Sequence, residues 1–148
     1  MKPNRNLPFS AVELDNGFWH DRQELNRNVT IRNVWKRFEE TGRFASFRFD
    51  WKEGRPHKPH IFYDSDVAKW MESAAYILQM HPDPWLEERM EELVGLIVAH
   101  QQEDGYFNVY FTVVEPENRF RQRFAHELYC AGHLIEAAVA YQNATGRD

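Results

Sequence analysis

The spacing of apolar residues predicts a mainly α chain built of helical hairpins, interrupted by one short β-like excursion. Three observations carry that reading. Apolar residues recur at helical intervals in several stretches bounded by start and stop signals. A proline-broken junction at residues 81–84 joins two such stretches with almost no linker. Residues 106–114 instead alternate aromatic, Asn and β-branched residues, a strand-like texture.

Taken in order, Leu7, Phe9, Val12, Leu14, Phe18 and Trp19 are apolar without helical spacing, so residues 7–19 read as an extended lead-in. Asp21 with Glu24 three residues on has the form of a capping box. Leu25, Val29, Val34 and Phe38 continue a helix, and Thr41-Gly42 stops it. In residues 43–63, Phe47, Phe49 and Trp51 alternate with Arg48 and Asp50, the pattern of a short strand, and Gly54, Pro56 and Pro59 then give an ordered loop. That stretch is either a surface connection with aromatic anchors or a flap over a pocket.

Asp64 and Ser65 are placed to cap a helix running to about Met80, with Val67, Trp70, Ala74 and Ile77 on one face. In His81-Pro82-Asp83-Pro84 the aspartate is the expected N-cap, and Pro84 occupies the first helical position, where its missing N–H does no harm. Trp85, Leu86, Met90, Leu93, Ile97 and His100 carry this helix to about Gln102, which makes the pair an antiparallel αα-hairpin. Glu115-Pro116-Glu117-Asn118 is a turn. The last helix opens at His126 and ends at Ala144-Thr145-Gly146, with Gly146 in the left-handed position. The pattern has the rhythm of stacked helix pairs. Because the sequence stops two residues after that terminator, it reads as an N-terminal segment of a larger domain.

Composition narrows the function. Lys and Arg number 18 against 23 Asp and Glu, a net charge of -5 that gives no support for a nucleic-acid partner. One cysteine excludes an intrachain disulfide. No apolar run approaches the length of a membrane span, and Met1-Lys2-Pro3-Asn4-Arg5-Asn6 leads into no signal-peptide core, so the expectation is a soluble, cytoplasmic protein. Aromatics are 15% of residues, enough for a large core or for a groove where flat rings meet a ligand.

The chemistry concentrates in His126-Glu127-Leu128-Tyr129-Cys130-Ala131-Gly132-His133. Helical spacing stacks His126, Tyr129, Cys130 and His133 on one side, with Leu128, Ile135 and Val139 supplying the apolar remainder. Such a stripe faces either a polar pocket or a polar contact inside a core. His126, Cys130 and His133 are metal-ligand types, but a straight helix spreads the first and last by about 10 Å. The two histidines are seven residues apart, not the four of the zinc-protease motif, so no metal site is expected here. Asp64 and Asp66 could serve as paired carboxylates, although helix capping explains them as well. Cys130 is a nucleophile only if its pKa is lowered. Tyr106, Phe107, Tyr110 and Phe111 offer ring faces, and Asn108, Asp104 and His126 directional hydrogen bonds, the make-up of a sugar site. The same run would serve equally as a hairpin packed on the helices.

Four motifs occur together and in order: Leu7-Pro8-Phe9-Ser10; Phe62-Tyr63-Asp64-Ser65-Asp66-Val67-Ala68-Lys69-Trp70; Gln101-Gln102-Glu103-Asp104-Gly105-Tyr106-Phe107-Asn108-Val109-Tyr110-Phe111-Thr112; and residues 126–138. Together they resemble the N-terminal part of the β-L-arabinofuranosidase family, glycoside hydrolase family 127. The resemblance implies an (α/α)6 barrel, incomplete here, and retaining hydrolysis of terminal β-L-arabinofuranosides by a cysteine nucleophile held on zinc. The implied zinc ligands, a glutamate and cysteines, and the catalytic pair lie downstream, so this segment carries no catalytic or metal residue and no cofactor of its own. Cys130 matches the helix-motif cysteine, not the nucleophile. His126 is carried over as a sugar-binding residue, and Asp64, Asp66, Tyr106, Asn108 and His133 are placed near the pocket by their motif positions. The implied partner is an arabinofuranoside-type glycan, and helix faces left uncovered would favour self-association. Two other readings stand beside this one: another (α/α)6 sugar enzyme, such as an epimerase or unsaturated glucuronyl hydrolase, and a non-catalytic helical interaction module.

Overall fold

The computed structural model describes residues 7–147; the stretch Met1–Asn6, on which the signal-peptide expectation rests, lies outside them. Among the described residues seven helices follow one another: α1 Gly17–Leu25, α2 Ile31–Glu40, α3 Arg43–Ser46, α4 Tyr63–Met80, α5 Pro84–His100, α6 Tyr110–Val113 and α7 Glu127–Thr145. Single 3-10 turns sit at Phe9–Ala11 and Pro116–Asn118, and a π-turn, Asn26–Thr30, joins α1 to α2. No strand forms among the described residues, and none of their helices is long and apolar enough to cross a membrane.

The core gathers where α4 lies along α7. From α4 come Val67, Ala68, Trp70, Met71, Ala74 and Ala75, and from α7 Ala137, Ala140 and Tyr141. Alanine at the seam lets two backbones approach closely, and Gln79 Nε2 donates across it to the Ala140 carbonyl at 3.4 Å. Tyr141 Oη reaches Glu91 of α5 at 2.8 Å. Helix α5 adds Leu86, Met90 and Leu93 to the same core, each fully buried side chain contributing about 1.5–3 kcal/mol. The opposite flank is aromatic: Trp35 of α2 stacks on Phe44 at 4.0 Å and leans on Trp70 at 4.8 Å and Trp85 at 5.7 Å. The indole N–H of Trp70 is satisfied by the Ile31 carbonyl at 2.9 Å.

The α4–α5 junction forms as the sequence predicts. Asp83 Oδ1 accepts from the backbone N–H groups of Trp85 and Leu86, with Pro84 opening the helix, and Arg32 pairs with the other carboxylate oxygen at 2.7 Å. Gly146 ends α7 in the left-handed conformation, φ 68°.

Elsewhere the structure departs from expectation. Helix α1 starts at Gly17, so Asp21 lies inside it rather than capping it, and Phe18 and Trp19 belong to the helix, not to an extended lead-in. The alternation at 47–51 makes no strand. Gly42, φ 77°, stops α2 as expected and turns the chain straight into α3; a Cβ there would stand 2.5 Å from His57 Cβ. Phe47 is then fully buried against Phe107, and Phe49 stacks on His100 at 5.1 Å, so the loop is a connection with aromatic anchors. The β-like excursion at 106–114 is likewise absent. Asn108 Oδ1 accepts from the Phe111 N–H at 2.9 Å, and Asp64 takes the Val109 N–H, so the side chains that claim these backbone donors steer the segment into α6.

Candidate functional site

The site is built around the start of α7. His126 precedes the helix with a left-handed backbone, φ 60°, and makes no side-chain cap. Its direction is therefore set by the loop and not by helical spacing. The imidazole lies exposed, 4.7 Å from the ring of Phe62 and 5.7 Å from Tyr129. Tyr129 in turn meets His133 edge-on at 4.6 Å and accepts a 2.6 Å hydrogen bond from Lys69 Nζ. Two rings, two imidazoles and an ammonium, from α4, α7 and the residue just before each, thus share one open side.

Next to Phe62 opens a cleft of about 530 Å³ lined by Arg43, Lys58, His60, Phe62, Tyr63, Ser65, Asp66 and Lys69. Its one carboxylate, Asp66, is tied to Arg43 at 2.9 Å. Lys58 and Lys69 leave this wall cationic, although the whole chain carries -5. A second groove, about 490 Å³, runs between the α1–α2 arm and α4 past Arg27, Trp70 and Tyr76; it shares Asp66 and Lys69 but includes no α7 residue.

Of the residues singled out from sequence, His126, Asp66 and His133 stand on this open side, whereas Asp64, Tyr106 and Asn108 are buried behind it. Asp64 does not cap α4, whose N-cap is Phe62 without a side-chain bond. It is 2% exposed and accepts from the Val109 N–H with both oxygens, at 3.1 and 3.3 Å. Burial pushes its carboxyl up to about 7, against the lowering pull of that hydrogen bond. Asp66 is likewise no cap but the partner of Arg43. Asn108 is enclosed, and its Nδ2 has no hydrogen-bond partner among the described residues. Tyr106 donates to Glu127 Oε1 at 2.5 Å beneath the guanidinium of Arg119, 3.6 Å above its ring; burial and then the Glu127 carboxylate push its pKa upward.

The stripe His126, Tyr129, Cys130, His133 splits. Cys130 turns inward and its Sγ donates to the Ile61 carbonyl at 3.2 Å. Burial, and secondarily the Asp64 charge, push the thiol up to about 11, so at neutral pH it is a thiol and a poor nucleophile. Leu128, Ile135 and Val139, the apolar remainder of the helix, face outward at 75%, 64% and 52% exposure. Phe62, Lys69 and Glu127 were not legible as site residues. Glu127 is buried at the head of α7, and its second oxygen accepts from the Phe120 N–H at 2.7 Å.

Ligand atoms of Glu72, His133 and Glu136 lie within 4.8 Å of one another, the one such set among the described residues. His133 Nδ1 sits 3.0 Å from Glu136 Oε2, an ion pair when the imidazole is protonated. A zinc held by a glutamate and cysteines does not fit this segment, whose single cysteine is enclosed and bonded to a carbonyl.

Residues 11–148 match the family described as β-L-arabinofuranosidase, GH127 catalytic domain. The chain belongs to this family. Over 93 residues it is 45% identical to the non-reducing end β-L-arabinofuranosidase of Bifidobacterium longum subsp. longum, a match covering 60% of this chain and 14% of that protein. A solved GH127 β-arabinofuranosidase superposes with a TM-score of 0.82 at 33% identity, covering 95% of this chain and 24% of the other. The chain thus spans about a quarter or less of these relatives. The helices here are part of the GH127 helical barrel, and the family match favours neither another sugar enzyme nor an interaction module.

Proposed function

We propose that this chain forms one wall of the sugar pocket in a glycosidase that removes terminal β-L-arabinofuranosyl residues, and that the catalytic pair and a zinc ion belong to residues outside it. The observation that carries the reading is the exposed imidazole of His126, tilted 4.7 Å from Phe62, a ring that also lines the cleft of Lys69 and Asp66. A ring floor with convergent polar groups suits a furanose, whose C–H face packs on the aromatic while hydroxyls are read by directional bonds. An imidazole can donate to one hydroxyl and accept from another. Family membership supplies the sugar class, since the matched relatives bear the name of β-arabinofuranosidases.

The outward face of α7, with Leu128, Ile135 and Val139, is read as a surface that the rest of a barrel covers. Alone, the chain would associate through it. A cytoplasmic setting is part of the same proposal; the free thiol of Cys130 fits a reducing compartment and does not require one.

The test is His126→Ala in a complete catalytic domain carrying this segment. The lost hydrogen bond to a bound sugar is worth about 1.4 kcal/mol, so kcat/KM on an arabinofuranoside should fall about tenfold with near-normal melting. Lowered melting with activity retained would sink the reading.

A further inference from the structure

His126 is held, not merely placed. Phe120 and His126 bracket a short loop, and both have left-handed backbones, φ 56° and 60°. A side chain with a Cβ is unfavourable there and persists where its surroundings over-determine it. The determinant next to His126 is Glu127. One carboxylate oxygen accepts from Tyr106 Oη at 2.5 Å and the other from the Phe120 N–H at 2.7 Å. The loop's first left-handed residue and the 106 segment are thereby tied to the first residue of α7, immediately beside its second.

The tie is itself anchored. Arg119 covers the Tyr106 ring at 3.6 Å and pairs with Asp104 at 2.7 Å, and Asp104 Oδ1 accepts from the Tyr106 N–H at 3.1 Å. On the far side Phe62 meets the imidazole at 4.7 Å. Glu127 is only 7% exposed and has no ion-pair partner among the described residues. A buried charge of this kind is costly where packing alone is at stake. What a carboxylate supplies here, and an apolar side chain cannot, is two acceptors at a fixed angle, aided by the positive end of α7.

We infer that Glu127 is a positioning residue: bridging Tyr106 and Phe120, it locks the left-handed backbone of His126 and so aims the imidazole across Phe62 at the sugar. This rests on the reading of His126 as a sugar contact. Glu127 touches no substrate; it acts through its neighbour.

A double-mutant cycle in the complete catalytic domain tests it, with a chromogenic aryl β-L-arabinofuranoside as probe. E127A should lower kcat/KM about tenfold, as loss of the His126 contact does, and E127A in the H126A background should cost nothing further, because the residue it aims is gone. E127Q, which keeps an oxygen for the Phe120 N–H and an amide for Tyr106 Oη, should recover most of the loss. Should E127A fail to fold, Y106F enters the same cycle, cutting one of the two bonds while keeping the ring. An equal loss from E127A or Y106F with and without His126, or no loss from either, overturns the positioning role and leaves the sugar reading intact. Unchanged kinetics in H126A overturn the sugar reading itself and this inference with it.

Discussion

Helix α7 has two faces with opposite histories of contact. Cys130, Ala137, Ala140 and Tyr141 are buried against α4 and α5, with Ile61, Gln79 and Glu91 accounting for their polar atoms. Leu128, Ile135 and Val139, just as apolar, lie bare. Hydrophobic character alone does not decide which face is interior; the facing element does. The small residues settle it here, because alanines on both α4 and α7 permit a close seam that bulkier side chains would hold open. Leucine, isoleucine and valine on the other face are left largely exposed among the described residues. The residues proposed for sugar binding stand at the border between the two, near the head of the helix.

The contrast can be broken most forcefully at Tyr141. Tyr141→Ala removes a buried ring, while Glu91 keeps Arg147, so it should cost about 3 kcal/mol or more in urea unfolding of the complete domain; a loss under half of that would mean the seam is not a core. Next comes Asp64, enclosed beside Cys130. Its folded pKa, about 7, lies above the ordinary carboxyl value of 3.8, so the folded state holds the proton more tightly. The stability this group contributes is full below the unfolded pKa and is lost as pH rises from about 4 through about 7. Asp64→Asn keeps an acceptor for the Val109 N–H and should flatten that part of the profile. Urea midpoints at pH 5 and pH 8 that differ as much in the variant as in the parent would refute it. The smallest effect belongs to the bare face. Leu128→Ser should change the isolated chain by no more than about 0.5 kcal/mol, while reducing its self-association in light scattering. In the complete domain the same change should cost about 2 kcal/mol; equal effects in both settings would show that nothing covers this face.

Much of this was legible in the sequence, for identifiable reasons. The α4–α5 junction could be read because Asp83, Pro84 and their backbone partners are neighbours in the chain. The helical rhythm and the stop at Gly42 were equally local. The sequence offers Asp64 as a cap, yet it stands three and four residues before Val67 and Ala68, on the inward face, and that spacing is the signal of its burial. Spacing alone gives His126 a helical direction, but a left-handed residue ahead of a helix does not follow helical geometry. The β-like pattern at 106–114 lost to side-chain bonds from Asn108 and from Asp64, the latter 45 residues away in sequence. Glu127 was invisible for the same reason. Its partners, Tyr106 and Phe120, lie 21 and 7 residues off, where no periodicity within α7 could point.

The π-turn between α1 and α2 bears on how this chain tolerates changes in length. Ile31 N–H reaches back five residues to the Asn26 carbonyl, so the turn stores one more residue than an α-helix would use. Removing a single residue within 26–30 should let α1 and α2 fuse into one regular helix while Ile31 keeps its carbonyl on Trp70. The same deletion inside α4 would swing every later side chain by about 100° and turn the alanine seam away from α7. The joint is thus a place where a codon can be gained or lost without rewriting the core.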